Sequence, residues 1–323
     1  MNKNISEKIE SIISGKITKK TSSKFYDDYH ESFQESGLHK AKAVLSQIES
    51  LGNKPDLKKL AYVSIGGSEG SEIEYILNNS DIKYGILIEI DTHACKIAHE
   101  KAKNLAPDCD LVIIPGDITQ QTDLIQKTLQ DWKRKSAIDG ILVVAHAVLH
   151  ELPYRSSNFD FNSFFGEMFW DWDPCLFISR EPCEPFNWPE TVEFSAPGVS
   201  SELLYQLAST IKQKLSFEGE IKRCGPDYVS ASRVLVTETI HKLFYLDDFD
   251  YEIQEKITHI QPDIFIPLVE KYLGKNSVFQ TRLNSSSFSR KYQELKISAR
   301  SEDGAQLPIP LSFFSIVASR REL

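Results

Sequence analysis

Cysteine is scarce in this chain: Cys95, Cys109, Cys175, Cys183 and Cys224 are its five, scattered over 323 positions. So few, so widely spaced, exclude a disulfide-stapled scaffold and a paired-cysteine zinc site. A reducing compartment, the cytoplasm, is the expectation. No apolar run approaches the roughly 18 residues that a bilayer crossing needs, and the opening MNKNISEKIE has none of the apolar core of a secretion signal. Positive charge is also in short supply, with 37 Lys and Arg against 46 Asp and Glu and a net charge of -9. Nucleic-acid binding ordinarily needs a basic field to displace counterions, so the balance disfavours nucleic acid and leaves a small molecule as the expected partner. The basic cluster Lys133, Arg134 and Lys135 after Trp132 reads as a solvated helix end.

What is present divides into four stretches. Residues 1–55 place apolar side chains at helical intervals and stop near Gly52 and Pro55, which predicts an amino-terminal helical cap. Residues 56–189 alternate apolar strands with amphipathic helices, the pattern of parallel strands joined by crossovers. From 190 to 276 the pattern is mainly helical, as in SSELLYQLASTIKQKL and RVLVTETIHKLFYL. That stretch exceeds a simple crossover and predicts a helical insertion or lid. Residues 277–323 return to strand-like runs at YQELKISAR and SFFSIVASR, which would complete the core sheet.

The most telling segment is YVSIGGSEGSEIEYIL followed by YGILIEID. It reads as a strand, a turn of Gly66, Gly67, Ser68 and Gly70, a short helix, and a second strand ending on Glu89. A turn with so little side-chain bulk lets a ligand lie against backbone where the next helix presents free N–H groups. A carboxylate at the second strand's tip accepts hydrogen bonds from the hydroxyls of a ribose. Together they describe an adenosine-type pocket.

The turn fits a dinucleotide fingerprint poorly, because Ser68 and Ser71 stand where its second and third glycines belong. As G-x-G-x-G it resembles the first motif of the class I S-adenosylmethionine-dependent methyltransferases, with Ser68 for the middle glycine. LVIIPGDIT, IDGILVVAHAVLHELP, DPCLFISREPCEP and LSFFSIVASR resemble that family's third, fourth, fifth and final antiparallel strands, in the right order. The resemblance implies an α/β fold: a Rossmann-like seven-stranded sheet, last strand antiparallel, with the helical cap and insertion added. It implies S-adenosyl-L-methionine as cofactor, held by Gly66, Gly67, Ser68, Gly70 and Glu89, with Asp117 and Ile118 beside the adenine and Ala145 at the fourth strand's exit. Ser64 stands where the family often has an acid for the ligand's amino group.

Chemistry is expected beyond the fourth strand, at His146, His150 and Glu151. The NPPY-type tetrapeptide and the Pro-Cys nucleophile that nucleobase-methylating members of that family carry are absent there, and VLHELP resembles the segment in several small-molecule methyltransferases where a histidine follows the fourth strand; the resemblance implies transfer to an O or N atom of a small molecule. An imidazole titrates near neutrality, so His150 is the candidate general base, or else a helix-starting residue bonded to backbone. Glu151 either orients it or is solvated. His146 and His150 are spaced as two ligands on a helix face, but no third ligand is identifiable and no metal is expected. Tyr26 and Tyr29 in FYDDY resemble the family's closing segment, a substrate lid, and packing of the cap is their alternative role. Trp170, Trp172 and Trp188 either line an acceptor pocket or pack as core, and Cys183 reads as structural.

Two other readings stay open. IGGSEG with LIEID also resembles the aminopropyltransferases, which use decarboxylated S-adenosylmethionine, although Ala145 and His146 stand where those enzymes place a catalytic aspartate. The fold without activity, as a scaffold or regulatory binding module, is the other. The helical insertion would shape specificity or join two copies of the chain as a homodimer.

Overall fold

The computed structural model describes residues 2–15, 22–155, 159–274, 278–283 and 286–320, with side chains from residue 36 onward in the second helix. The chain begins with α1 (Asn2–Ile13) and α2 (Ser22–Glu49), then alternates β1 (Leu60–Ile65), α3 (Ser71–Asn79), β2 (Tyr84–Glu89), α4 (Thr92–Ala102), β3 (Asp110–Pro115), α5 (Thr122–Arg134) and β4 (Gly140–His146). Next come α6 (Leu152–Arg155), α7 (Phe161–Phe169), β5 (Cys175–Pro182), β6 (Thr191–Ser195), α8 (Ser201–Lys214), β7 (Lys222–Cys224), β8 (Tyr228–Ser232) and α9 (Arg233–Phe244). The remainder is α10 (Phe249–Glu252), α11 (Pro262–Leu273), β9 (Val278–Leu283), α12 (Ser286–Glu294), β10 (Ser298–Arg300) and β11 (Phe313–Ser319).

These elements form two compact units, each assembled from three stretches of chain. The larger takes Ser22–Glu181, Asp263–Thr281 and Ser315–Leu323. It holds a seven-stranded sheet in the order β3-β2-β1-β4-β5-β11-β9. Strands β1 to β5 run parallel. Because Arg320 N–H bonds Cys175 O at 3.0 Å while Cys183 N–H bonds Ser312 O at 2.8 Å, pairing numbers fall along β11 as they rise along β5. The last strand is therefore antiparallel, as the motif order implied. β1 and the body of β4 are buried throughout, which is why LAYVSI and GILVVA read as continuous apolar runs rather than alternating ones. β1 lies between β2 and β4, so the chain reverses its direction of strand addition there, and a crevice opens beyond the carboxyl ends of β1 and β4. Trp172 is buried with its Nε1–H on Gln126 Oε1 at 3.2 Å, whereas Trp170 is exposed.

The smaller unit takes Met1–Thr21, Pro182–Pro262 and Arg282–Phe314. Its four-stranded antiparallel sheet, β10-β6-β8-β7, packs helices α1, α8 and α9 over a core that includes Ile9, Val192, Phe194, Leu207, Val229 and Ile240. Trp188 and Cys183 are buried here, the indole N–H donating to Pro308 O at 2.7 Å. The expected boundaries need correcting at four places. The stretch 190–276 is not a purely helical insertion, since TVEFS and YVSAS are strands of five residues, too short to stand out beside the strongly periodic helices around them. The cap expected over 1–55 is divided, α1 packing in the smaller unit and α2 in the larger. The cofactor core expected to run to residue 189 ends near Glu181. In the tail, YQELKISAR is strand only over Ser298–Arg300, which pair with β6; its first three residues end α12 and a turn joins the two.

The smaller unit also buries charge. Lys242 and Glu238, both fully buried on α9, lie 3.2 Å apart, and Thr258 donates to Glu238 through its N–H and its hydroxyl. Glu252 faces His241 at 3.6 Å. Burial pushes the Glu252 carboxyl up from 4.5 to about 7; Lys242 opposes the shift, while Glu255 and Asp248 add to it. A carboxyl that binds its proton more tightly when folded adds stability that is complete below its unfolded pKa and is lost as pH rises through the folded one. Between pH 4.5 and 8 this contribution should fall by about 3 kcal/mol. Urea unfolding at several pH values should show that slope in the native chain and its loss in Glu252→Gln.

Candidate cofactor site

Five residues of loop carry the chain from β1 into α3, and three of them are left-handed: Gly66, Ser68 and Gly70 have φ of 63°, 51° and 77°. Such backbone suits glycine, and it turns N–H groups toward the sheet end. Gly66 N–H bonds Ile88 O at 2.9 Å, pinning the turn to β2. A Cβ on Gly67 would lie 2.2 Å from Leu87 Cδ1 and 2.6 Å from Ser64 Oγ, and one on Gly66 would lie 2.6 Å from Val148 Cγ2. The turn has no room for side chains at either place. Gly70 then starts α3 with no side-chain cap, so the helix's first N–H groups are not taken by a capping side chain.

Glu89 closes the turn from the neighbouring strand. Its carboxylate accepts from Ser68 N–H at 2.8 Å and from Asp91 N–H at 2.9 Å. Burial raises its pKa, against the lowering effect of those backbone bonds. Two oxygens offer about four acceptor positions, so a diol can still be bound. Asp117 ends β3 by capping a short 3-10 turn, accepting from Thr119 N–H at 2.9 Å, and Ile118 is buried behind it.

A cavity of about 20 Å³ sits against the turn, room for a water molecule. Gly66, Gly67, Ser68 and Glu69 of the turn line it on one side, Ser64, Val144 and His146 form its sheet wall, Ser71 and Glu72 its α3 wall, and Gly37 with Lys40 its α2 wall. His146 is thus at the site. Burial holds its imidazole below the usual pKa, and among the described residues neither ring nitrogen has a hydrogen-bond partner. Ala145 is not on the cavity, because side chains alternate along a strand and Val144 and His146 take the facing positions. Glu69 pairs with Lys101 at 3.3 Å, and Glu72 Oε1 accepts from the buried Tyr62 hydroxyl at 2.5 Å.

Gly37, Lys40 and Glu72 were not foreseen as site residues. A signal for the first was present: glycine inside a helix costs stability and marks a close approach. Here a Cβ on Gly37 would lie 2.8 Å from Ser71 Cβ.

His150 stands on the short 3-10 turn that follows β4, buried, and the carboxylate that meets its Nδ1 is that of Glu181, while a Glu151 carboxylate oxygen also lies within 4.8 Å of a His150 ring nitrogen. Glu181 is fully buried on β5 and accepts from the N–H groups of Val148, Leu149 and His150 at 3.2, 3.2 and 3.4 Å, and meets His150 Nδ1 at 3.0 Å. An Nδ1–H on that carboxylate leaves the imidazole lone pair on Nε2. Ala147, at φ 55°, makes the left-handed step that sends the chain from β4 into this turn. Tyr26 and Tyr29 fall on α2 outside the residues whose side chains are described.

No protein-family model and no curated protein matches the chain. Among solved structures it is similar to the plantazolicin methyltransferase BpumL in complex with a triazolic desmethylPZN analog and SAH, at 11% identity and TM-score 0.43 over 99% of this chain and 98% of that one. It is also similar to geranyl diphosphate C-methyltransferase from Streptomyces coelicolor A3(2), at 8% identity and TM-score 0.41 over 88% and 79% of the two chains. Likenesses this distant leave the function to the chemistry of the site.

Crowding at the turn is directly testable. Gly67→Ala should destabilise the chain by about 1–3 kcal/mol, since Leu87 and Ser64 must both give way. The check is a urea midpoint shifted down, and an unshifted midpoint would mean the turn is looser than described.

Proposed function

We propose that the chain is an S-adenosylmethionine-dependent methyltransferase acting on an O or N atom of a small-molecule acceptor. The observation that carries the reading is the left-handed glycine turn after β1, its backbone tied to the Glu89 carboxylate at the tip of β2. That pairing offers backbone donors and a diol acceptor within one turn, the requirement of an adenosyl group. Gly66, Gly67, Ser68 and Gly70 would hold the nucleoside, Glu89 its ribose, and Asp117 with Ile118 its adenine.

The donor supplies an already activated methyl group, so the chain's own tasks are alignment and proton removal. His150 is the base in this reading. Glu181 fixes the ring through its contact with Nδ1, and the imidazole would take the acceptor's proton as the new bond to the methyl carbon forms. Glu181 thereby acts as a positioning residue, through His150. Among the described residues no helix is long and apolar enough to cross a membrane.

Two measurements test the reading. Calorimetry with S-adenosylhomocysteine should show binding that Glu89→Ala weakens by about tenfold or more; unchanged affinity would remove Glu89 from the pocket. His150→Ala should keep that affinity while turnover, followed over a panel of hydroxyl and amine acceptors, drops by about 10²-fold or more. Full turnover in that variant would exclude His150 as the base.

A further inference from the structure

Helix α4 fastens the glycine turn. Lys101 Nζ meets Glu69 Oε2 at 3.3 Å and also the Ser71 hydroxyl, so one ammonium ties the residues on either side of Gly70. Both members of the ion pair lie inside the protein, with side-chain exposures of 17% for Lys101 and 2% for Glu69. One helical turn earlier Ala98 packs on Gly70, where an added Cβ would lie 3.2 Å from the alanine's own. Burial lowers the lysine's pKa, against the pull of Glu74, as it does for an ammonium drawn out of water. Stability alone is a weak reason for such a pair, because desolvation offsets much of the attraction and apolar side chains of the same volume would hold the corner as well.

What the pair holds is a conformation that the backbone does not favour by itself. Ser68, directly before Glu69, is left-handed at φ 51° without being glycine, a state that costs about 1–2 kcal/mol and persists only where the surroundings enforce it. Resting on the donor reading above, we propose that Lys101 is a positioning residue for the methyl donor: through Glu69 and Ser71 it keeps Ser68 and Gly70 in the left-handed form that presents bare backbone to the nucleoside. Lys101 acts on the donor only through the turn. When a binding-competent conformation is a fraction of the population, apparent affinity falls by that fraction, so a turn competent in about one molecule in ten binds about tenfold more weakly.

The test pairs calorimetry, with S-adenosylhomocysteine as the probe, with urea unfolding of the full chain. Lys101→Met leaves the Glu69 carboxylate buried without its lysine, and should lower the urea midpoint and weaken binding about tenfold. Adding Glu69→Gln removes the stranded charge, so the midpoint should recover while affinity stays about tenfold low, the brace still being absent. Circular dichroism at the assay temperature shows that each variant is folded when titrated, and the double variant carries the test alone if the single one does not fold. Affinity that recovers together with the midpoint makes the pair a stability element and overturns the proposal. Unchanged affinity in either variant overturns it too, and in both cases the donor reading stands because the unaltered chain still binds. No binding by the unaltered chain overturns the donor reading and this role with it.

Discussion

The bond from Ser68 N–H to the Glu89 carboxylate is the contact that shapes the end of the larger unit's sheet. It joins the turn after β1 to the tip of β2, and it forms only because three residues in five are left-handed and Gly67 lets Leu87 and Ser64 close against bare backbone. Were the turn bulkier, α3 would start elsewhere and its N-terminus would no longer face the sheet end. Lys101 reaches across from α4 to Glu69 and Ser71 and braces the same corner. The loop is thus held by strand, helix and ion pair together, the kind of support that keeps a binding backbone preorganised.

Two polar centres lie beyond β4, and strand alternation separates them. His146 pairs in register with Arg180 and opens on the cavity, while Glu181, one residue on, turns to the following 3-10 segment and holds His150. Their chemistry differs accordingly. Burial holds the His146 imidazole below its usual pKa, against the opposing pull of Glu72 and Glu181. His150 has its orientation set by Glu181, which suits proton transfer.

Much of the larger unit was legible in the sequence because its signals are long and local. Buried parallel strands read as apolar runs, and the glycine turn is contiguous. The second strand's Glu89 follows at a spacing set by one short helix. What escaped depends on contacts distant along the chain. Glu181 lies 31 residues from His150, and only the pairing of β5 beside β4 brings it there; Glu151, the neighbour in sequence, was the natural candidate and is not the group that meets Nδ1. Gly37 and Lys40 reach the cavity through the packing of α2 on α3. The smaller unit was misjudged for a different reason: its strands have three to five residues, and the alternation of Val192 and Phe194 with polar neighbours is too brief to outweigh helices on both sides.

The charge distribution bears on which ligand the larger unit accepts. A chain with net charge -9 repels a phosphate-rich ligand at long range, and around the cavity the acids Glu69 and Glu72 stand against Lys40 and Lys101. A dinucleotide would bring phosphates to this turn, where Glu72 occupies the helix start. A sulfonium nucleoside brings one positive centre and a zwitterionic tail, and leaves no phosphate to be neutralised. The mixed charges of the wall therefore favour a donor of that kind over a nucleotide, on grounds independent of the spacing of the glycines.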